Sequence, residues 1–288
     1  MLLLGPYQLL SVVTGHLRLD GGAMFGVVPR DVWERVAEPD GRNRVRLAMR
    51  SLLAVDAVRK RVILVDAGAG EDWAPRQAER FGLEPRPEAL PTALAGLGLT
   101  ANDVTDVVIT HLHFDHSSGL IDRTAEPDRA AGLRYPRARH WIHERHWHHA
   151  HHPTQRDRAS FRPDDLEALA ACGALSPVAG ETPSCPLEGV SWVITHGHTP
   201  YQLLPEFHSA EGGLLFVGDT IPTAAHLPLA WTMAYDLQPA VSLEEKQATY
   251  HRCQHEGLIL AFPHDPRHAA VRLAWRKDRP VVTATLKL

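Results

Sequence analysis

Residues 111 to 116 read His-Leu-His-Phe-Asp-His, directly after the apolar run Val104 to Thr110. Three histidines and an aspartate in so short a stretch supply imidazole nitrogens and a carboxylate, the donors that zinc and its first-row neighbours accept. In extended backbone, side chains two apart point the same way, so His111 and His113 converge on one ion. A turn at Phe114 then sends Asp115 and His116 toward a second ion beside it. Few structural roles need such a cluster, whereas a pair of adjacent metal ions does. The competing reading is a polar loop with fortuitous histidines.

Three more candidate sites follow apolar runs, at strand ends where loops gather functional groups. His196-Gly197-His198-Thr199-Pro200 follows Val193 to Thr195, Gly218-Asp219-Thr220 follows Leu214 to Val217, and Pro263-His264-Asp265 follows Leu258 to Phe262. One histidine from the first, the aspartate of the second and the histidine of the third would complete two coordination spheres. Each site alone is weak; four in series, all after apolar strands, form a pattern.

The elements that must position these residues are legible in outline. Alternation marks strands over Leu10 to Leu19, Val45 to Val55 and Arg61 to Val65, the last ending at Asp66. Residues 75 to 91 read as a surface excursion with some helix, and Leu90 to Leu99 as helical. Val104 to Ile109 reads as the strand that delivers the histidine cluster. His140 to Glu144 is a short strand running into a helix, and Asp164 to Ala171 is a helix with Pro163 near its start. Strands return at Gly189 to Ile194, Gly213 to Val217, Gly257 to Ala261 and Val282 to Leu288, with a helix near Leu243 to His255. In the last run, Val282, Ala284, Leu286 and Leu288 are expected on one face. Strands in two batches, each followed by helical material, predict an α/β, four-layer αββα sandwich rather than a doubly wound parallel sheet. Neither linker nor repeat is visible, so a single domain over residues 1–288 is expected.

Composition narrows the function classes. With 44% hydrophobic and 22% charged residues among 288, the chain has ordinary globular values. A formal net charge of -4 lacks the basic footprint of a nucleic-acid binder. No apolar run reaches membrane-spanning length, and Met1 to Leu4 is too short for a signal-peptide core. Cys172, Cys185 and Cys253 are widely spaced and odd in number, which argues against a disulfide framework and for a cytoplasmic setting.

On these marks the chain resembles the metallo-β-lactamase-fold superfamily of dinuclear metal hydrolases. Its ordered signature stands here as Asp66 after a strand, His111-x-His113-x-Asp115-His116, His198 in Gly-His-Thr-Pro, Asp219 in Gly-Asp, and His264. The resemblance implies that His111, His113 and His198 hold a first ion. Asp115, His116 and His264 would hold a second, Asp219 would bridge them, and Asp66 would brace the loop from behind. His196 rivals His198, which is preferred because Gly197 and Thr199 flank it. The chain departs from the family pattern where Pro200 is followed by Tyr201-Gln202 instead of Gly-His. The implied cofactors are two divalent ions, zinc foremost, with manganese, iron and cobalt also compatible.

Within the superfamily the chain is most similar to quorum-quenching-type (acyl-homoserine) lactonases. The supporting stretches are Leu19 to Gly26, Phe216 to Pro222, His226 to Asp236 and His264-Asp265-Pro266. The resemblance implies a bridging water whose pKa falls from 15.7 toward roughly 7 between ions about 3.5–4 Å apart. The resulting hydroxide would open a small-molecule ester or lactone, with Asp115 as ligand and proton shuttle and Asp219 as bridge. Alternatives are a phosphotriesterase or arylesterase at the same ions, a nuclease of the same fold, and a non-enzymatic metal binder. No nucleic-acid or membrane partner is expected, and the assembly would be a monomer or homodimer. Some lactonases of this fold place a tyrosine three residues beyond the bridging aspartate; here that position is Pro222, with Tyr235, Tyr201 or His226 as possible substitutes.

Other features have plainer readings. His143-Glu144-Arg145-His146 is one residue short of the zincin H-E-x-x-H spacing. The run His146 to His152 reads as a solvated helix end. Asp66 to Gly70 lacks the third glycine and the setting of a dinucleotide fingerprint, so it reads as a tight loop. Trp33, Trp73, Trp192 and Trp231 are packing residues by default, and Trp231 with Met233 are candidates for an apolar wall facing an acyl chain.

Overall fold

Strand Arg61–Val65 shows how the layers arise, because its side chains alternate between two apolar clusters. Ile63 and Val65 face inward to a core shared by both sheets, while Val62 and Leu64 face outward onto helices. Strand Gly212–Phe216 does the same from the other sheet: Leu214 and Phe216 enter the shared core, and Leu215 packs outward. A strand buried on both faces must be apolar at every position, which is why these runs read as unbroken hydrophobic stretches.

The structure, a computed structural model, describes residues 1–123, 132–210, 212–277 and 279–288. Among them, one sheet runs Leu2–Leu4, Tyr7–Asp20, Arg44–Asp56, Arg61–Val65, Asp106–Val108, Arg139–His143, Leu175–Val178, with Glu84–Pro85 added beside Tyr7–Asp20. The second runs Val190–Thr195, Gln202–Ser209, Gly212–Phe216, Ile259–Ala261, Ala270–Arg276, Arg279–Leu286. Helices Ala89–Gly96, Glu144–His151 and Pro163–Ala171 cover the first sheet through Leu90, Leu94, Ala150, Leu166 and Leu169. Helix Pro239–Glu256 covers the second through Tyr250 and Cys253. This is the expected αββα sandwich of the metallo-β-lactamase fold. No described helix is long and apolar enough to cross a membrane.

Several expectations are revised. The apolar run Val104 to Ile109 contributes only Asp106–Val108 to the sheet, because Thr110 turns away to bond Asp66. Strand Gln202–Ser209 escaped a reading by alternation, since Pro205 and the buried polar Gln202 and Glu206 interrupt it. Glu206 is tolerated there because Arg252 of the covering helix meets it with two hydrogen bonds of 2.6 Å. The final strand is Arg279–Leu286, at the sheet edge; on its expected buried face Leu286 and Leu288 pack against the shared core, whereas Ala284 and Val282, the latter 39% exposed, are solvated. Helix Pro75–Phe81 lies in the anticipated surface excursion with no buried residue.

Candidate metal centre

Strand direction gathers the candidate residues. Arg61–Val65 and Asp106–Val108 are parallel neighbours, so Asp66 and the 111–116 segment leave the same edge of the first sheet. In the second sheet Gly212–Phe216 and Ile259–Ala261 are parallel, and Val190–Thr195 is two antiparallel steps from Gly212–Phe216. The loops bearing His198, Asp219 and His264 therefore also share one edge. Where the two edges meet, the donors converge.

They form two adjoining groups: His111, His113, His198 and Asp219 in one, Asp115, His116 and His264 in the other, with donor atoms of each group within 4.8 Å of one another. The Asp219 carboxylate faces both. Its Oδ2 lies 3.3 Å from His198 Nε2 and 4.0 Å from His111 Nε2, while Oδ1 lies 3.1 Å from His264 Nε2 and 3.4 Å from His116 Nε2. Asp115 Oδ2 is 3.5 Å from His264 Nε2 and 3.9 Å from His116 Nε2. His198 Nε2 also approaches His113 Nδ1 at 3.1 Å. His196 stays outside the cluster, half-buried beside Glu181 at 3.3 Å.

The far nitrogens of four of these rings, His111, His116, His198 and His264, are held from behind, which fixes tautomer and orientation. His116 Nδ1 donates to Asp66 Oδ2 at 2.8 Å, and Asp66 also receives the Thr110 amide and hydroxyl. His264 Nδ1 donates to the Ala48 carbonyl at 2.7 Å, and His198 Nδ1 to Asp236 at 3.1 Å. His111 Nδ1 sits 3.0 Å from the Thr110 hydroxyl. The bracing position of Asp66 thus appears as anticipated, whereas Asp236 and Ala48 carry no local sequence signal. Two loop anchors were also missed. Glu245 accepts from the His196 and Gly197 amides at 2.5 and 3.1 Å.

The second anchor corrects the reading of His146 to His152 as a solvated helix end. His148, His151 and His152 are exposed, but His146 is fully buried. Its Nε2 accepts from the Leu112 amide at 2.9 Å and its Nδ1 donates to the Pro200 carbonyl at 2.8 Å, tying the two histidine loops together. Helical spacing held the clue, since His146 lies four residues from buried Ala150.

Electrostatics and unsatisfied atoms fit a divalent-cation site. Burial, with neighbouring histidines, holds His111 and His113 well below the ordinary imidazole range, the neutral form a metal requires. Burial opposes charge on His116 too, but Asp219, Asp115 and Asp66 outweigh it and lift the ring well above its usual range. Burial likewise resists ionisation of Asp219, yet His264, His116 and His198 hold it well below the carboxylate range. Inside the cluster, His111 Nε2 and His113 Nε2 lie buried without a hydrogen-bond partner. Such orphaned atoms are costly unless a missing partner satisfies them.

A cavity of about 400 Å³ opens over both groups, its floor formed by His113, Asp115, His198, Asp219 and His264. Met24, Leu47, Phe81, Phe114 and Met233 give it apolar walls. Met233 is on that wall as anticipated; Trp231 instead packs edge-on against Phe25. Of the three tyrosine substitutes, Tyr235 lines the cavity, and burial pushes its phenol up to about 12. Tyr201 lies outside it with Glu181, and His226 is buried, stacked on Phe25 and bonded to the Met24 carbonyl.

Comparison with known proteins agrees with this architecture. The model of the metallo-beta-lactamase superfamily matches residues 51–285. A probable metal-dependent hydrolase from Staphylococcus aureus is 26% identical, with a TM-score of 0.84 over 99% of this chain and 100% of that one. AidC, a dizinc quorum-quenching lactonase in complex with its product N-hexanoyl-L-homoserine, is 17% identical, with a TM-score of 0.78 over 99% and 97%. The hydrolase AbOPH of the beta lactamase superfamily is 17% identical, with a TM-score of 0.76 over 100% and 97%. At 17% identity these last two speak to the fold alone. Matched over most of its length, the chain belongs to the metallo-beta-lactamase superfamily and is a metal-dependent hydrolase.

Proposed function

We propose that the protein is a dinuclear-metal-dependent hydrolase that opens an ester or lactone, of acyl-homoserine-lactone type. His111, His113 and His198 would hold one ion, Asp115, His116 and His264 the other, and Asp219 both. The observation that carries this reading is Asp219, whose two oxygens face different histidine groups at 3.1–3.4 Å. When bound, two divalent ions supply a Lewis-acidic centre that activates water and polarises a carbonyl. Zinc suits this donor set foremost.

The chain's own residues supply the rest. Asp66, Asp236 and the Ala48 carbonyl hold three imidazoles in fixed orientation, so little reorganisation accompanies reaction. Asp115, which lines the cavity, would carry a proton to the departing oxygen. Tyr235, with a phenol that stays protonated at neutral pH, can donate to the substrate carbonyl. The apolar walls exclude water from an acyl chain and favour its burial.

The test incubates metal-loaded protein with a panel of acyl-homoserine lactones, simple lactones, aryl esters, a phosphotriester and RNA. Ring opening that chelator abolishes and added metal restores is the expected result. Turnover of the phosphotriester or RNA without any lactone would overturn the substrate assignment, and no turnover with two ions bound would overturn the catalytic one.

A further inference from the structure

The lining of the same cavity is rich in arginine, although the esters it is proposed to open are neutral. Arg18, Arg42, Arg44, Arg80 and Arg156 all line it. Three are matched by acids that are not part of its lining: Arg18 by Glu84 at 3.4 Å, Arg42 by Glu79 at 3.4 Å and Arg44 by Asp40 at 2.9 Å. Arg80 and Arg156 have no carboxylate partner among the described residues. Arg80 stands in the last turn of helix Pro75–Phe81 and lies 5.6 Å over the Phe81 ring, while Arg156 reaches across from the segment after helix Glu144–His151 to the Ala234 carbonyl.

No acid of the cavity lining is ion-paired with either arginine. Asp115 and Asp219 face the histidine groups, Asp20 is engaged by the Asn43 side chain and the Ala23 amide, and Asp157 by His149 and Thr154. A helix-end arginine alone needs no ligand. Two from separate excursions line one cavity, and neither is paired with a carboxylate among the described residues. Guanidinium forks bind oxyanions through paired, charge-assisted hydrogen bonds.

We propose that the preferred substrate is an ester or lactone with a carboxylate at the end remote from the bond cleaved, held by Arg80 and Arg156 across an apolar middle. This rests on the hydrolytic reading above and names its substrate class. Arg80 and Arg156 act as specificity determinants, not catalytic residues.

The test compares two substrates that differ only at the remote end, a carboxylate in the 4-nitrophenyl hemiester of adipate and its methyl ester in methyl 4-nitrophenyl adipate. Binding of monomethyl adipate and dimethyl adipate to the metal-loaded protein is measured in parallel by calorimetry. The expected wild-type ratio of anionic to neutral kcat/KM is at least about tenfold at low salt and shrinks as salt screens the mouth. In R80A/R156A the ratio falls toward one, and in R80K/R156K it returns only in part, because an ammonium keeps the charge but not the paired hydrogen bonds. The calorimetric preference for the monoanion follows the same order.

A wild-type ratio near one overturns the proposal. So does a large ratio that persists in R80A/R156A, since the floor of the cavity would then be the source. If neither ester is cleaved, the lactone panel above decides the hydrolytic reading and calorimetry decides the arginine site alone. Monoanion binding lost in R80A/R156A supports the site, and binding retained there overturns it.

Discussion

His146→Ala perturbs the joint between the two histidine loops without touching a cavity residue. The imidazole is fully buried and makes two hydrogen bonds, from the Leu112 amide at 2.9 Å and to the Pro200 carbonyl at 2.8 Å. Truncation leaves a buried N–H and a partly buried C=O unpaired, at up to about 1–3 kcal/mol each. Loss of ring packing against Phe161, 6.2 Å away between centroids, adds a cavity cost. The sum is on the order of 3–6 kcal/mol, a large part of a typical domain's stability. Leu112 lies between His111 and His113, and Pro200 follows His198 by two positions. The loops should therefore splay, and affinity for the first ion should fall about 10–100-fold, as for other losses of support behind a metal ligand. Urea denaturation of wild-type and variant measures the first quantity, and competition with a chromophoric chelator measures the second. A stability loss under about 1 kcal/mol with unchanged metal affinity would refute the assignment of His146 as the tie between the loops.

Two further perturbations test the frame. Gly197→Ala would place a Cβ 2.3–2.6 Å from Ser242 side-chain and backbone atoms, so the loop or helix Pro239–Glu256 must shift. A loss of about 1–3 kcal/mol and fewer than two ions per chain by elemental analysis are expected; full metal content at unchanged stability would contradict the close approach. Acid should also weaken the fold through His140, which burial pushes down to about 4. Because the unfolded ring binds its proton near pH 6.5 and the folded ring does not, stability is retained above that value. It then falls by about 1.4 kcal/mol per pH unit from 6.5 toward 4. His140→Leu should flatten that slope by about one proton in urea midpoints measured from pH 7 to 4.5, and an unaltered slope would exclude His140 as its source.

Most of the centre was legible in the chain because its chemistry is local. The His111 to His116 spacing needs only a strand and a turn, and His198, Asp219 and His264 each follow an apolar run that reads as a strand. Asp66 was legible for the same reason. The layered architecture followed from double-sided apolar strands such as Arg61–Val65. Strand Gln202–Ser209 was not legible, because Glu206 is explained only by Arg252, 46 positions away.

Donor identity was thus a property of the sequence, set by which residue types stand at the strand ends. Which oxygen of Asp219 faces which histidine group, the pairing of His198 with Asp236, and the burial of His146 between two loops depended on tertiary structure. So did the unmatched Arg80 and Arg156 at the cavity mouth. Periodicity reports which face of an element is apolar, but a polar side chain takes its role from the atoms it meets across the fold. Those atoms come from distant segments that only the closing of two sheets brings within hydrogen-bond reach.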